Sequence, residues 1–441
     1  MHVLLVSTGS AGNMLPFIGL GAALRARGHV VTLIASGAGT ETACQAGLEV
    51  IDLDDPQARP KLPTTDAATV RKPGFLRTLG SHAVRHMRRV FQLIADRQAA
   101  GKTVIVAPGW LFGARIAQEK LGMPLATVYL QPLLFGSVYD TPGLPGWVPR
   151  WIPRLVNALV EHSVDRGLAP AIDAFRAELG LPPVHRPVLR WWRSPELVIG
   201  FFPAWYSAPQ PDWPAQTLLG GFPLYDAPAT IVSPELEEFL SDGEPPLVFS
   251  QAWMIQDARE YFAASVEAAQ RLGRRAVLLT AHRQQLPRSL PRSIRHFGFV
   301  PLSALLPRAA ALVHHGGIGT IGQALAAAVP QLTVPMILDQ FDNSRRLYRL
   351  GVSANVRAAA YRPATVARLL RGLLESPAVA KRCRRYAALS REDKPFEKAC
   401  LALEQLNGRR TDKTCASDGN NVSERGGIGH ACTAGLNGER G

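Results

Sequence analysis

The sequence predicts an α/β protein built from two doubly wound halves, each a parallel sheet covered by helices. A βαβ unit opens the chain, and the same alternation of strands and helices returns between residues 245 and 357. The length agrees, because 441 residues fill two domains, or three, at about 100–200 residues each. With 47% apolar and 19% charged residues, the chain has the composition of a globular protein with a large core. That composition excludes wholesale disorder, collagen and a coiled coil.

Each element carries its own signal. His2–Val6 is a short apolar run, Ser7–Asn13 a Gly/Ser loop, and Leu15–Arg27 has helical periodicity that Gly28 stops. Val30–Ala35 is a second β-branched strand, so strand, crossover helix and parallel strand follow in order. Further strands are predicted at Leu48–Asp52, Thr103–Ala107 and Leu125–Leu130, with a helix at Ala114–Leu121 that Gly122 ends. In the second half, strands are predicted at Pro246–Ser250, Ala276–Thr280, Ala311–His314, Gln331–Val334 and Ala354–Val356. Helical patterns at Ala258–Leu272, Thr320–Ala328 and Phe341–Leu350 lie between them. The seam falls near Gly220–Pro245, beside an acidic helix at Pro234–Leu240, and divides residues 1–226 from 227–407. Residues 408–441 are rich in Gly, Asn and Ser without an apolar period, the pattern of a disordered tail. Two stretches break the grammar. Residues 56–100 are polar and basic, with Arg85, Arg88 and Arg89 on a helix, and residues 141–155 interleave Trp147 and Trp151 with Pro149, Pro153, Arg150 and Arg154.

Composition also limits function. Lys and Arg total 49 against 35 acids, a formal charge of +14 that favours anionic partners. Nucleic acid is the weakest of these, since zinc-finger spacing, RNP-like aromatics and basic heptads are all missing. The five cysteines are odd in number and scattered, so neither a disulfide framework nor a zinc site follows. No stretch approaches the roughly 18–20 apolar residues that span a bilayer, and the start lacks the basic region and cleavage site of a secretory signal. A cytoplasmic protein is expected.

The sharpest motif is His314-His315-Gly316-Gly317-Ile318-Gly319-Thr320, set between an apolar strand and an Ala-rich helix. Three glycines let the backbone approach a ligand, and the helix start supplies N–H groups, a combination suited to a diphosphate. The Gly-Lys-Ser/Thr ending of a Walker A loop is absent. A second Gly-Gly-Ile-Gly, Gly426–Gly429, has no strand before it and no helix after it, and reads as chance. After the next strand come Asp339-Gln340-Phe341-Asp342-Asn343, a carboxylate beside an amide that suits vicinal sugar hydroxyls or, alternatively, caps a helix. Asp52-x-Asp54 has the spacing of a divalent-metal ligand pair, though acidic turns share it.

Phe299-Val300-Pro301, His315, Thr320, Val329-Pro330 and Asp339-Gln340-x-x-Asn343 together resemble the donor-binding signature of the family-1 glycosyltransferases. Those are two-domain GT-B enzymes that use nucleotide-diphosphate sugars, their two Rossmann-like halves facing a cleft. The first loop, Gly9-Ser10-Ala11-Gly12-Asn13-Met14-Leu15-Pro16, matches as well. Phe202-Pro203-Ala204-Trp205 through Asp212-Trp213-Pro214, and Gly221-Phe222-Pro223-Leu224-Tyr225-Asp226, are similar to bacterial members, among them the rhamnosyltransferase of rhamnolipid synthesis. The likeness spans roughly residues 1–405.

The resemblance implies an N-terminal acceptor half and a C-terminal donor half. Phe299 would pack on the nucleobase and Val300 would contact it through the backbone. His315, Gly317, Gly319 and Thr320 would hold the diphosphate, Gln323 would stand where the family binds ribose with Glu, and Asp339 and Gln340 would bind sugar hydroxyls. Gly12 and Trp110 would lie on acceptor-side loops. The implied reaction is an inverting, metal-independent transfer of a hexosyl group from a UDP- or dTDP-sugar to a hydroxyl of a lipophilic small molecule or lipid. No further cofactor is implied.

Departures from the family pattern raise a second reading. Asn13 stands where the family commonly has a His or Asp base, and a carboxamide can orient a hydroxyl but cannot take its proton. The segment Val106-Ala107-Pro108-Gly109 lacks the supporting carboxylate of plant members, and Ala252-Trp253 replaces a Gly-Ser. Either another group such as His82 or His86 serves as base, or the acceptor needs little help, or the chain is a weak or silent sugar-nucleotide binder. A nicotinamide-dependent oxidoreductase is disfavoured, because Gly9-x-x-Gly12 is incomplete and Ala35-Ser36-Gly37 lacks the ribose-binding acid. The Trp/Arg segment fits either peripheral attachment to anionic lipid or a lid over an apolar acceptor pocket.

Overall fold

The computed structural model describes residues 1–36, 39–54, 75–98, 102–144, 147–226, 233–251, 258–337 and 339–420. Its first sheet has seven parallel strands: β1 (His2–Thr8), β2 (Val30–Ser36), β3 (Glu49–Asp52), β4 (Thr103–Pro108), β5 (Leu125–Tyr129), β6 (Leu197–Gly200) and β7 (Thr217–Leu219). Their order is β3-β2-β1-β4-β5-β6-β7. The second sheet has six: β8 (Leu247–Ser250), β9 (Ala276–Leu279), β10 (Ile294–Phe297), β11 (Ala311–His314), β12 (Gln331–Thr333) and β13 (Ser353–Asn355), ordered β10-β9-β8-β11-β12-β13. The two doubly wound halves are present, with β6, β7 and β10 added to the predicted strands. β7 and β10 are outer strands, β7 only three residues long and β10 interrupted by Arg295 and His296 in the apolar run that marks a buried strand.

Each sheet reverses its direction of growth beside its first strand, between β1 and β4 in one and between β8 and β11 in the other. Loops leaving those neighbouring carboxyl ends diverge to opposite faces and leave a crevice. Residues 9–13 and 109–111 border the first crevice, and residues 315–317 the second. The basic segment forms the helix Phe75–Ala95, with Met87, Val90 and Ile94 buried and Arg88 paired with Glu178. A Cβ on Gly113, in the helix Phe112–Leu121, would run into the carbonyl of Met87, so these two helices meet at van der Waals contact.

One buried cluster runs through both halves, joining Phe202, Tyr206 and Phe222 to Ile321, Leu325, Leu347 and Val352. Phe222 lies where a Cβ on Gly322 of the helix Ile318–Ala326 would come within 3.0 Å. The chain leaves the first half past Gly221 and returns past Asp393, and these passages touch: a Cβ on Gly221 (φ +112) would lie 2.8 Å from that of Asp393. The last helix, Pro395–Asn420, then packs on the helix Ala11–Ala26. Phe396 meets Phe201 at 6.1 Å between ring centroids, and Glu404 accepts from Arg27 at 2.7 Å and contacts His29 at 2.8 Å. This helix continues through Gly408 to Asn420, where the sequence pattern predicts an irregular tail. A single internal glycine costs a helix only about 1 kcal/mol. Residues 421–441, with the second Gly-Gly-Ile-Gly, lie outside the described residues.

The helix Asp339–Leu350 is clasped to the first half by charge. Asp140 accepts from Arg345 at 2.7 Å and Arg349 at 3.1 Å and pairs with Arg346 at 2.8 Å. Asp342, fully buried, pairs with Arg345 at 2.5 Å and Arg346 at 2.8 Å, and Arg346 also donates to Ser207 at 2.8 Å. Burial opposes the Asp140 charge, but the hydrogen bond from Arg345 and the charges of Arg346 and Arg345 outweigh it and hold the carboxyl down at about 2. A depressed folded-state value adds stability above the ordinary carboxyl range, and that stability is lost as pH falls toward 2. Asp140→Asn should therefore lower unfolding free energy by about 1–2 kcal/mol at pH 7, solvent screening of this part-exposed carboxyl included. In chemical denaturation the difference from wild type should shrink as pH falls from about 4 toward 2.

Candidate active site

The site begins with a histidine that is not for ligand. His314 ends β11 fully buried; its Nδ1 accepts the Gly316 amide at 3.1 Å and its Nε2 lies 3.0 Å from Gln331 Oε1 on β12. These partners select the neutral tautomer with its proton on Nε2. Burial first, and the neighbouring His315 second, push its pKa down to about 3. Gly316 turns at φ +92, and a Cβ there would lie 2.9 Å from Ser344 Oγ and 3.1 Å from the Gln340 carbonyl. Only glycine lets the turn press this closely on the helix Asp339–Leu350.

Gly317 then caps the helix Ile318–Ala326 without a side-chain hydrogen bond, which leaves the first-turn amides available to an anion. The His315 ring covers Gly317, where a Cβ would lie 2.6 Å from Nε2, and its buried Nδ1 has no protein partner. Burial pushes His315 down to about 4, so the ring is uncharged at neutral pH in the protein without ligand. Around Gly319 there is open space, and Thr320 is partly buried beside it.

The neighbouring strand β12 delivers the helix Asp339–Leu350. Burial pushes the Asp339 carboxyl up to about 6, against the hydrogen bonds that favour its charge. Gln340 is turned inward: its Oε1 accepts from the amides of Met336 at 2.9 Å and Ile337 at 3.2 Å, leaving the side-chain NH2 for a ligand. Asn343 donates to both Asp339 Oδ2 and the Gly316 carbonyl, each at 3.1 Å. The fold thus gathers His315, Gly317, Gly319, Thr320, Asp339 and Gln340 at the ends of two adjacent strands.

The other predicted residues fall around this centre. Phe299 follows β10 and is 76% exposed, a free ring rather than a core aromatic. Val300 is buried with Leu312 and Ala324, which backs its loop onto the helix bearing Gln323. Gly12 and Asn13 lie in the first turn of Ala11–Ala26, and Ile318 packs against the cluster containing Met14, Phe17 and Ile18. The starts of these two helices therefore approach each other from opposite halves. Trp110 sits in the turn after β4, partly buried. Asp52 accepts the Asp54 amide at 3.0 Å, the bond of an acidic turn. His86 Nε2 stands 4.0 Å from Asp54 Oδ1. Ala252, Trp253 and the side chain of His82 lie outside the described residues. Trp147 and Trp151 are exposed, and Leu155 and Leu159 continue the apolar stripe along Trp151–Glu178. Sequence reasoning missed Tyr206, whose hydroxyl reaches Asn343, and Asp140; the i,i+3 and i,i+4 spacing of Asp342 with Arg345 and Arg346 was the readable trace of that network.

Comparison with known proteins agrees with this geometry. The family described as "Erythromycin biosynthesis protein CIII-like, C-terminal domain" matches residues 266–399. The O-mycaminosyltylonolide 6-deoxyallosyltransferase of Streptomyces fradiae is 32% identical over 426 residues, 93% of this chain and 99% of that protein. The crystal structure of the glycotransferase of kitacinnamycin superposes with a TM-score of 0.70 at 20% identity, covering 92% of this chain and 98% of the other. Glycosyltransferase VinC in complex with dTDP superposes with a TM-score of 0.68 at 19% identity, covering 93% and 100%. Two parallel Rossmann-like sheets, each reversing its direction of growth beside its first strand, define a GT-B architecture. The chain belongs to the family-1 glycosyltransferases.

Gly317→Ala drives a methyl group into the His315 imidazole. It should weaken dTDP binding about tenfold or more, which is 1.4 kcal/mol, with little change in melting temperature, as read by calorimetry.

Proposed function

We propose that the chain is an inverting, metal-independent transferase that moves a hexosyl group from a dTDP-sugar to a hydroxyl of a lipophilic small-molecule aglycone. The observation that carries this is the β11 turn, with an uncapped helix start, the neutral His315 beside it and the Asp339 carboxylate bound to the same turn through Asn343. As the glycosidic bond breaks, charge grows on the departing diphosphate, and preorganised N–H donors with a helix dipole stabilise it. The choice of dTDP over UDP is supported by the dTDP-bound structure, and that of a small-molecule acceptor by the S. fradiae relative, whose name specifies a tylonolide that already bears a sugar. The glycolipid reading drawn from the rhamnosyltransferase resemblance rests on sequence motifs alone.

His86 is our candidate for the missing base. Two observations support the choice: Asp54, two residues past β3, lies 4.0 Å from its Nε2, and the carbonyl of the next residue, Met87, abuts Gly113 just after the β4 turn. In the proposed step the acceptor O–H proton passes to the His86 imidazole, the oxygen bonds to the anomeric carbon, and the dTDP oxygen leaves with the bonding pair. Asp54 stabilises the imidazolium. Asn13 orients the acceptor hydroxyl. The second reading, a silent sugar-nucleotide binder, is favoured by Asn13 itself. The exposed Trp147–Leu159 stripe, flanked by Arg150 and Arg154, supports contact with an anionic lipid surface.

In a nucleotide panel, dTDP should raise the melting temperature most; no shift with any diphosphate nucleotide would overturn the assignment. In single-turnover assays with labelled donor, His315→Ala should lose about 10²–10³-fold in rate and His86→Gln about 10²–10⁴-fold. Tight dTDP binding without transfer to any acceptor would establish the silent binder. Flotation with phosphatidylglycerol vesicles should carry the protein upward and fail for Trp147→Ala/Trp151→Ala; no flotation of wild type removes the lipid contact.

A further inference from the structure

Asn343 is fully buried in the second turn of Asp339–Leu350, and the two polar ends of its side chain reach three parts of the site. Its Nδ2 donates to the Gly316 carbonyl and to Asp339 Oδ2, both at 3.1 Å, and its Oδ1 accepts from the Tyr206 hydroxyl at 3.3 Å. The partners settle the orientation of the amide, with two acceptors on one side and a hydroxyl on the other. Tyr206 is buried and belongs to the first half, and the next residue, Ser207, accepts from Arg346 at 2.8 Å.

We propose that Asn343 is a positioning residue, which fixes the Asp339 carboxylate relative to the phosphate turn and is itself aimed by Tyr206 from the acceptor half. The inference rests on the reading of Asp339 as the group that holds the donor sugar. Two acceptors that share the hydrogens of one planar amide have a set separation, so the sugar and diphosphate subsites become one rigid unit. Removing the hydroxyl of Tyr206 leaves the amide held on its Nδ2 side alone, so that its plane can tilt about those two bonds. A residue that only filled space would hold neither register.

The same bond favours the charged carboxylate. The groups facing Asp339 are Asp342 on its own helix, which opposes the charge, and Tyr206 from the first half. Arg345 and Arg346 pair with Asp342. Loss of the Asn343 N–H raises the Asp339 pKa further, so a carboxylate competent to accept sugar hydroxyls requires higher pH.

The test measures binding of dTDP and dTDP-glucose separately by calorimetry from pH 5 to 8. In wild type the extra affinity due to glucose should disappear on acidification with a midpoint near 6. Asn343→Ala should move that midpoint up by about one pH unit and weaken dTDP-glucose about tenfold, with dTDP changed far less. Tyr206→Phe should weaken dTDP-glucose about threefold and spare dTDP. A folded Asn343→Ala protein with an unmoved midpoint overturns the inference; where that variant does not fold, an unchanged dTDP-glucose affinity in Tyr206→Phe overturns it. If Asp339→Ala keeps the full glucose contribution, the reading of Asp339 fails instead.

Discussion

The hydrogen bond from the Gly316 amide to the buried Nδ1 of His314 is the constraint on which the donor site depends. An imidazole sealed between β11 and β12 cannot take a proton without losing that acceptor, so burial keeps it neutral and available to the turn. The turn in turn requires φ +92 and contact with the next helix, conditions that glycine alone meets at position 316. Everything nearer the ligand follows: the uncapped helix start, the ring of His315 over Gly317, and Asn343 reaching the Gly316 carbonyl.

A basic chain suggests Lys or Arg for a diphosphate, yet the donors gathered at the turn are the amides of Gly317 and the helix start and the uncharged His315 ring, with the Asp339 carboxylate beside them. Arg345 and Arg346, on the same helix as Asp339, are spent on Asp140 and Asp342. On the proposed reading, binding relies on fixed dipoles, which need no reorganisation as the bonding pair passes to the oxygen of the departing diphosphate. The arginine network has a different task, since it fastens the helix that presents Asp339 to the opposite half.

The sequence pattern revealed the central strands because buried parallel strands are continuous apolar runs, as in Val3–Val6 and Ala311–Val313. It concealed β6, an inner apolar run of only four residues, together with β7 and β10 at the outer positions, where β10 admits Arg295 and His296. The His-Gly-Gly turn and the Asp-Gln pair were legible because their chemistry is local. Gln340 was legible as a residue but not in its inward pose, which depends on the Met336–Ile337 turn. Asp140 was invisible, for its partner Arg345 stands 205 residues away and no spacing rule joins them. Tyr206 was hidden for the same reason.

The two chain passages between the halves touch at Gly221 and Asp393, and the final helix is anchored on the far side by Glu404. Parting the halves about these passages would also have to break the charged clasp of Asp140 and the Tyr206–Asn343 bond, so the crevice cannot widen without disturbing the helix that carries Asp339.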